Sequence, residues 1–365
     1  MHDEELVSVI IPAFNAASTL GDTLDSVRRQ THRRLEIIVV DDGSQDRTAE
    51  VAEAHAAEDE RVRLIRQENG GVARARNTGV AASRADYLAP VDADDLWHPD
   101  KIARQLTALR NAGPEAGYAY TYYRHIDTAG RVIRDAGSRV EGAAFLRSIM
   151  GNFVGNGSSL LIRRVAFDSI GGYDPALHDA GLQGCEDYLL QVLIARHWRV
   201  ACVPAYLTGY RRLEGTMSGD RLRMTRSHFA ALDTIARRVP EAPAEILNTT
   251  RAAALVRIAV PLSLRLKLKG LAMLREAFAT DAPTAVRVIA RDTRDAWRRA
   301  TRNRPRPAGN RPRFGDLAPD QPLQAPKPAR LNARGAALAA RDEDFFVPAP
   351  PPLLSPVPHR HEPHA

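Results

Sequence analysis

Three acidic clusters in the 365-residue chain carry oxygens that could do chemistry: Asp41-Asp42, Asp92-Ala-Asp94-Asp95 and Glu186-Asp187. Asp92-x-Asp94 directly follows an apolar run, so folding would concentrate negative charge there, and a divalent cation offsets it. Hard oxygen donors of this kind suit Mg2+ or Mn2+ shared with substrate phosphates. Either strand-end cluster alone would also serve as turn or helix-cap chemistry, because Asp-Gly-Ser and Asp-Asp are common there. Glu186-Asp187 opens the apolar-periodic stretch Tyr188 to Arg196, where a helix dipole stabilises a carboxylate. The same residue types are expected whether that pair accepts a proton or caps the helix. His178, Cys185 and Cys202 fit no metal-ligand spacing and read as structural.

Holding such groups on one rim requires an alternation of strands and helices. Leu6 to Ile11 is an unbroken β-rich run ended by Pro12, and Ser18 to Gln30 follows at helical spacing after a Ser18 cap. Leu35 to Val40 and Asp46 to Ala57 repeat the pair; Arg61 to Ile65 and Val72 to Ala82 repeat it again. Asp86 to Val91 is a fourth strand running straight into Asp92. This order predicts an α/β fold with a mostly parallel sheet. Ligands of such sheets sit beyond the carboxyl ends of the strands, and each end here is polar: Asn15, Asp41-Asp42, Asn69, Asp92 to Asp95. Asp95 reads as the cap of a helix beginning near Pro99.

With 44% hydrophobic residues the chain can bury a sizeable core, which excludes a disordered or fibrous polymer. Two cysteines are too few for a disulfide-stapled scaffold, and the opening residues fit neither a signal peptide nor a membrane span, so a cytoplasmic location is expected. The net charge of +7 is unevenly shared: −6 over residues 1–220, +14 over 221–313 and −1 over 314–365. Residues 1–220 therefore read as one module and 221–304 as a basic helical extension. Residues 305–365 hold 14 of the 24 prolines and read as a disordered tail. Within the extension, Ala252 to Phe278 is amphipathic but too charged, and too broken by Pro261, to span a bilayer. It can lie on an anionic membrane surface, at the inner face of the cell membrane, or pack against its own domain. No nucleic-acid motif accompanies the arginines of 287–313, and no nucleic-acid partner is expected.

The motifs also carry a resemblance. Val9-Ile-Ile-Pro-Ala-Phe-Asn15, Ile37-Ile-Val-Val-Asp-Asp-Gly-Ser44, Gly70-Gly-Val-Ala-Arg-Ala-Arg-Asn-Thr-Gly79 and Asp92-Ala-Asp-Asp95 resemble successive blocks of family 2 glycosyltransferases. Gly171-Gly-Tyr-Asp174, Glu186-Asp-Tyr188 and Tyr210-Arg211 continue them in the family's order. The resemblance covers residues 5–220 and implies a Rossmann-like GT-A fold, a nucleoside diphosphate sugar donor with UDP, GDP or dTDP, and inversion at the anomeric carbon. It implies that Pro12-Ala13-Phe14, with Asn15, Asp41 and Ala93 nearby, line the nucleotide-sugar site. Asp42 would meet the base, Arg76 the base and phosphates, Asp92 the ribose, and Asp94 with Asp92 the metal. Asp187, with Glu186 second, would be the base. Arg211 and Arg212, with Met217-Ser218, resemble a loop closing over the diphosphate, and Asn156-Gly-Ser-Ser159 a segment shaping the acceptor pocket. The acceptor expected is a glycan or a lipid-linked sugar in surface polysaccharide or glycolipid assembly.

Two other functions share parts of this pattern. A non-catalytic nucleotide-sugar-binding relative would arise by loss of the metal or base carboxylate, yet Asp94 and Asp187 are both present. A sugar nucleotidyltransferase would show a Gly-rich phosphate loop after its first strand, where this chain has Pro12-Ala-Phe-Asn15.

Overall fold

The computed structural model describes residues 5–182, 184–213, 220–263, 267–302, 311–323 and 333–349. Strands β1 (Val7–Ala13), β2 (Leu35–Asp41), β3 (Val62–Arg66) and β4 (Tyr87–Pro90) alternate with helices α1 (Leu20–Arg28), α2 (Thr48–Glu58) and α3 (Val72–Ala81). β1 pairs in parallel with β2 and β4, and β2 with β3, so their carboxyl ends share one rim. Every residue of β1 and β2 is buried, the outcome of continuous Val/Ile runs covered by helices on both faces. Gly79 lets α3 approach β1 closely, since a Cβ there would fall 2.5 Å from Ile10 Cγ2.

The chain continues through β5 (Leu96–Trp97), α4 (Lys101–Ala112), β6 (Ala116–Ile126), β7 (Val132–Ala136), α5 (Phe145–Met150) and a short 3-10 turn at Gly157–Ser159. It then forms β8 (Leu160–Arg163), α6 (Arg164–Ser169), α7 (Ala176–Asp179), α8 (Glu186–His197) and β9 (Arg199–Arg211). Among the described residues these make one nine-stranded sheet, ordered β3-β2-β1-β4-β8-β6-β9-β5 with β7 on β6. The expected parallel half spans β3 to β4, and β6 with β9 is parallel again; β8, β5 and β7 join antiparallel. Ile10, Ile38, Leu88 and Tyr118 face one apolar layer with α3, α5 and α8, while Val9, Val39, Ala89 and Ala119 face the other with α1 and α4. The Ser18 cap does not form: α1 starts at Leu20 behind Thr19, which makes no side-chain cap bond.

Helices α9 (Arg221–Arg238), α10 (Ala244–Ser263) and α11 (Lys267–Arg302) follow. Residues 221–247 share the main core, because Ala231, Leu232, Ile235, Ile246 and Leu247 belong to the same apolar cluster as Leu190 and Ile194. α11 breaks at Asp281, whose carboxylate accepts from the Thr284 N–H at 3.0 Å and restarts the helix beyond Pro283.

Two stretches of the Pro-rich 305–365 are described, 311–323 and 333–349, and both pack against the preceding module. Phe314 is buried against Ile126, Val132 and the bare face of Gly209. Arg124, with no side-chain exposure, donates to the carbonyls of Leu317, Ala318 and Gln321. Helix α12 (Ala333–Phe345) buries Asp342 against the Leu146 N–H and the Arg147 Nε at 2.6 Å, and Phe345 stacks on Phe145. A few strong anchors hold the segment where apolar periodicity is scarce.

Candidate active site

Beyond β4 the chain turns sharply, and three hydrogen bonds fix the turn. The Asp92 N–H donates to Ser158 Oγ at 3.0 Å, Ser158 Oγ donates to Asp95 Oδ2 at 2.6 Å, and the Arg211 N–H donates to Asp95 Oδ1 at 2.9 Å. Asp95 is wholly buried, and that burial, with Asp94 and Asp92 beside it, holds its carboxyl well above the usual range. It therefore ties β4 to β8 and β9 and does not cap the next helix, where Asp100 precedes α4. Asp94 is left half-buried beside Asp92. Its carboxyl is pushed up to about 7, first by burial and then by the Asp92 charge.

Arg76 on α3 crosses to this corner at 2% exposure. Its two terminal nitrogens donate to Glu186 Oε1 at 2.6 Å and Asp92 Oδ1 at 2.5 Å, and its guanidinium lies 5.1 Å from the Tyr173 ring centre. One buried cation thus joins α3, the β4 turn and the start of α8. Cys185, in the left-handed region at φ +69°, aims α8 so that Glu186 and Asp187 enter the site in its first turn. Asp187 Oδ1 accepts from the Tyr188 N–H at 2.7 Å. Its carboxyl is raised to about 7 by burial and then by Glu186, with Asp92 adding and Arg76 opposing. A carboxyl tuned to neutrality can take a proton there, which a surface carboxylate does poorly.

At the rim of β1 and β2, Phe14 is half exposed, offering an aromatic face, while Pro12 and Ala13 are buried within β1. Asn15 Oδ1 accepts from the Gln45 N–H, and Asp41 Oδ1 from the Ser44 N–H, so both shape the turn after β2. The Asp42 carboxylate holds the Gly70-Gly71 loop, accepting from the N–H groups of Gly70 and Gly71 at 2.9 and 2.8 Å and from Gln67 Nε2 at 2.7 Å. Ala93 turns its methyl into the core.

Arg211, expected at phosphate, is committed elsewhere: Nε donates to the Asp94 carbonyl at 2.7 Å, and its terminal nitrogens to the Thr128 carbonyl and Asp22 Oδ2. It positions the Asp94 backbone. Arg212 is the exposed neighbour, and Met217-Ser218 lies outside the described residues. Sequence reasoning placed Ser158 only in a segment shaping the acceptor pocket and gave no role to Tyr173 or Asp22, although Tyr173 stands inside a quoted motif.

The donor set at the corner can be tested against a cation. Asp92 and Asp94 are hard oxygen donors side by side, and burial first, then the Asp92 charge, raises the Asp94 carboxyl. Among the described residues no three His, Cys, Asp or Glu side chains converge to hold an ion by protein ligands alone. Two carboxylates fit Mg2+ or Mn2+ that completes its shell with phosphate oxygens and water.

A family model described as Glycosyl transferase family 2 matches residues 8–171. A putative teichuronic acid biosynthesis glycosyltransferase, TuaG of Bacillus subtilis, is 41% identical over 119 residues, covering 32% of this chain and 46% of that protein. The chain spans about half the length of the curated relatives it matches. Among solved structures, residues 1–349 of S. aureus TarS in complex with UDP-GlcNAc align with a TM-score of 0.55 at 16% identity, over 74% of this chain and 79% of that one. The mannosyltransferase PcManGT from Pyrobaculum calidifontis, in complex with GDP-Man and Mn2+, aligns with a TM-score of 0.52 at 22% identity, over 82% and 89%. These likenesses show the GT-A fold.

Proposed function

We propose that the chain, whose residues 8–171 match the model of glycosyl transferase family 2, transfers a sugar from a nucleoside diphosphate sugar to an acceptor hydroxyl, inverting the anomeric carbon. The observation that carries this reading is the convergence of Asp92, Glu186 and Asp187 around Arg76 beside Asp94. Asp187 takes the acceptor proton as the new bond to the anomeric carbon forms. The bond from that carbon to the diphosphate oxygen breaks on the opposite face, and the electron pair leaves with the nucleoside diphosphate. One carboxylate acting once gives inversion. Asp94, with Asp92, would hold Mg2+ or Mn2+, which when bound supplies positive charge to the leaving diphosphate. Arg76 orients Asp92 and Glu186 through its two hydrogen bonds, and Phe14 offers a face for the base.

Support for a nucleotide-sugar donor comes from the structural relatives, solved with UDP-GlcNAc and with GDP-Man. A surface glycan or lipid-linked acceptor, in polysaccharide or glycolipid assembly, is the reading favoured by the teichuronic acid relative. The basic extension would then bring the enzyme to an anionic membrane at its inner face. Among the described residues no helix is long and apolar enough to cross a membrane. The test is release of nucleoside diphosphate from UDP, GDP and dTDP sugars, with and without Mn2+. Metal-stimulated release from one donor class is expected; neither release nor binding with any of them would remove the reading.

A further inference from the structure

Strands β7, β6 and β9 set a second group of side chains beside this corner. Arg134 lies opposite His125 in the β6–β7 register, and His125 opposite Tyr210 in the β6–β9 register. Opposed residues of paired strands project to the same face, so the three form one row. Tyr123 shares that face two residues back on β6. Its ring centre lies 5.2 Å from that of His125 and 6.0 Å from that of Tyr210, and the last two lie 5.5 Å apart, all edge to face. The Arg212 guanidinium lies 5.6 Å from the Tyr210 ring centre. The result is an aromatic floor with a guanidinium at either side.

Two features of this floor have no structural explanation. His125 is 4% exposed, yet neither ring nitrogen has a hydrogen-bond partner among the described residues. Burial, then Arg134 and Arg212, push its pKa down to about 3, leaving a neutral imidazole with one donor and one acceptor unmet. Among the described residues Arg134, exposed at the mouth, makes no ion pair. A buried unmet polar group is costly to keep, and a ligand that reaches it recovers that cost.

The floor adjoins the reacting groups on both sides. Gly155, at φ +93°, rests on the Tyr123 ring, where a Cβ would fall 2.4 Å from Cε1. Two residues on, a Cβ on Gly157 would lie 3.2 Å from Arg76 and 3.7 Å from Asp187 Cβ. Two residues of chain span at most about 7 Å, near the width of one sugar ring. On the other side Tyr210 precedes Arg211, whose N–H is bonded to Asp95.

We propose that this row is an acceptor subsite for a sugar unit carrying an anionic group, a phosphate or a carboxylate. The sugar ring lies against Tyr123 and Tyr210, the anion sits between Arg134 and Arg212, and His125 meets a hydroxyl. Guanidinium forks match both anions in geometry, and aromatic faces suit the C–H faces of sugars. The inference rests on the glycosyltransferase reading, which places the acceptor beside Asp187.

The test uses the full chain with glucose 6-phosphate, glucuronic acid and methyl glucoside as probes, their affinities measured by ligand-observed NMR in UDP or GDP with Mn2+. At least one charged probe is expected to bind about tenfold or more tightly than methyl glucoside, and the order of the two tells phosphate from carboxylate. R134Q should abolish that preference and leave nucleotide affinity within about twofold. Equal binding of the neutral sugar, or a preference that survives R134Q, overturns the subsite. Loss of nucleotide affinity in R134Q overturns it too, by assigning the arginine to the donor. Nucleotide affinity of the unmodified chain is read separately: its absence removes the glycosyltransferase reading, whereas a missing charge preference removes only the anion subsite.

Discussion

Asp94 and Asp187 both have carboxyls raised to about 7, but the consequences of losing them differ. Asp94 is held beside the like charge of Asp92, so Asp94→Ala should abolish metal-dependent nucleotide binding and transfer while leaving the melting temperature unlowered. Equal turnover of mutant and parent in Mn2+ would overturn the assignment. Asp187→Asn should retain donor affinity and lower transfer by about two to four powers of ten, the usual contribution of a positioned base. Stability supplies a second readout. An unfolded Asp titrates near 3.9 and the folded Asp187 near 7, so between those values the folded chain holds a proton that the unfolded chain has released. Stability therefore falls as pH rises through that window, and an asparagine is spared the fall. The melting temperature of metal-free Asp187→Asn should exceed that of its parent by more at pH 8 than at pH 5. An equal difference at both, or lost donor binding without a rate defect, would make Asp187 a helix cap only.

The elements that carry these residues were legible to different degrees for physical reasons. β1 and β2 are buried on both faces, so their apolar runs read directly, and the rim they share was placed by topology rules alone. Asp95 and Arg211 were misread because each is defined by a partner far along the chain, Ser158 for one and Asp22 for the other. No local spacing signals such pairs. The packing of 311–323 and 333–349 left no local signal for a related reason: their contacts are single anchors on side chains and backbone carbonyls, not a periodic face. Arg124 has no exposure and pairs with Asp135, yet three of its contacts are carbonyls of residues 317–321. Ending the chain at residue 310 would strip these away, expose the Phe314 socket and leave Arg124 under-satisfied. Removing partners from a buried charge typically costs about 3–5 kcal/mol, which in a chain of this size lowers the melting temperature by several degrees or more. Calorimetry on the truncated chain should show that drop; an unchanged melting temperature would mean that 311–349 only rests on the surface.

At the scale of the whole molecule, charge and apolar exposure fall on the same part. Residues 221–313 carry +14 against −6 for residues 1–220. The exposed large apolar side chains include Leu271, Phe278 and Val286, all on α11, alongside exposed Arg275, Arg287 and Arg291. Leu271 and Phe278 are seven residues apart and so share a helical face. Packing against its own domain accounts for α9 and the start of α10, whose apolar residues join the main core, but not for this outer face of α11. An anionic bilayer would complement it: each Lys or Arg near the surface would contribute about 1 kcal/mol, and shallow insertion of the ridge would add apolar burial. Ending the chain at Asp220 is the wrong control, since it would uncover Leu190 and Ile194. Substituting Leu271→Glu with Phe278→Glu changes the ridge alone. The full chain should co-sediment with anionic vesicles at low salt and be released at high salt, because the attraction is screened. The double substitution should leave most of the protein in solution with an unchanged melting temperature. A parent chain that stays in solution at low salt would give α11 no membrane role and would point instead to an acceptor met in bulk water.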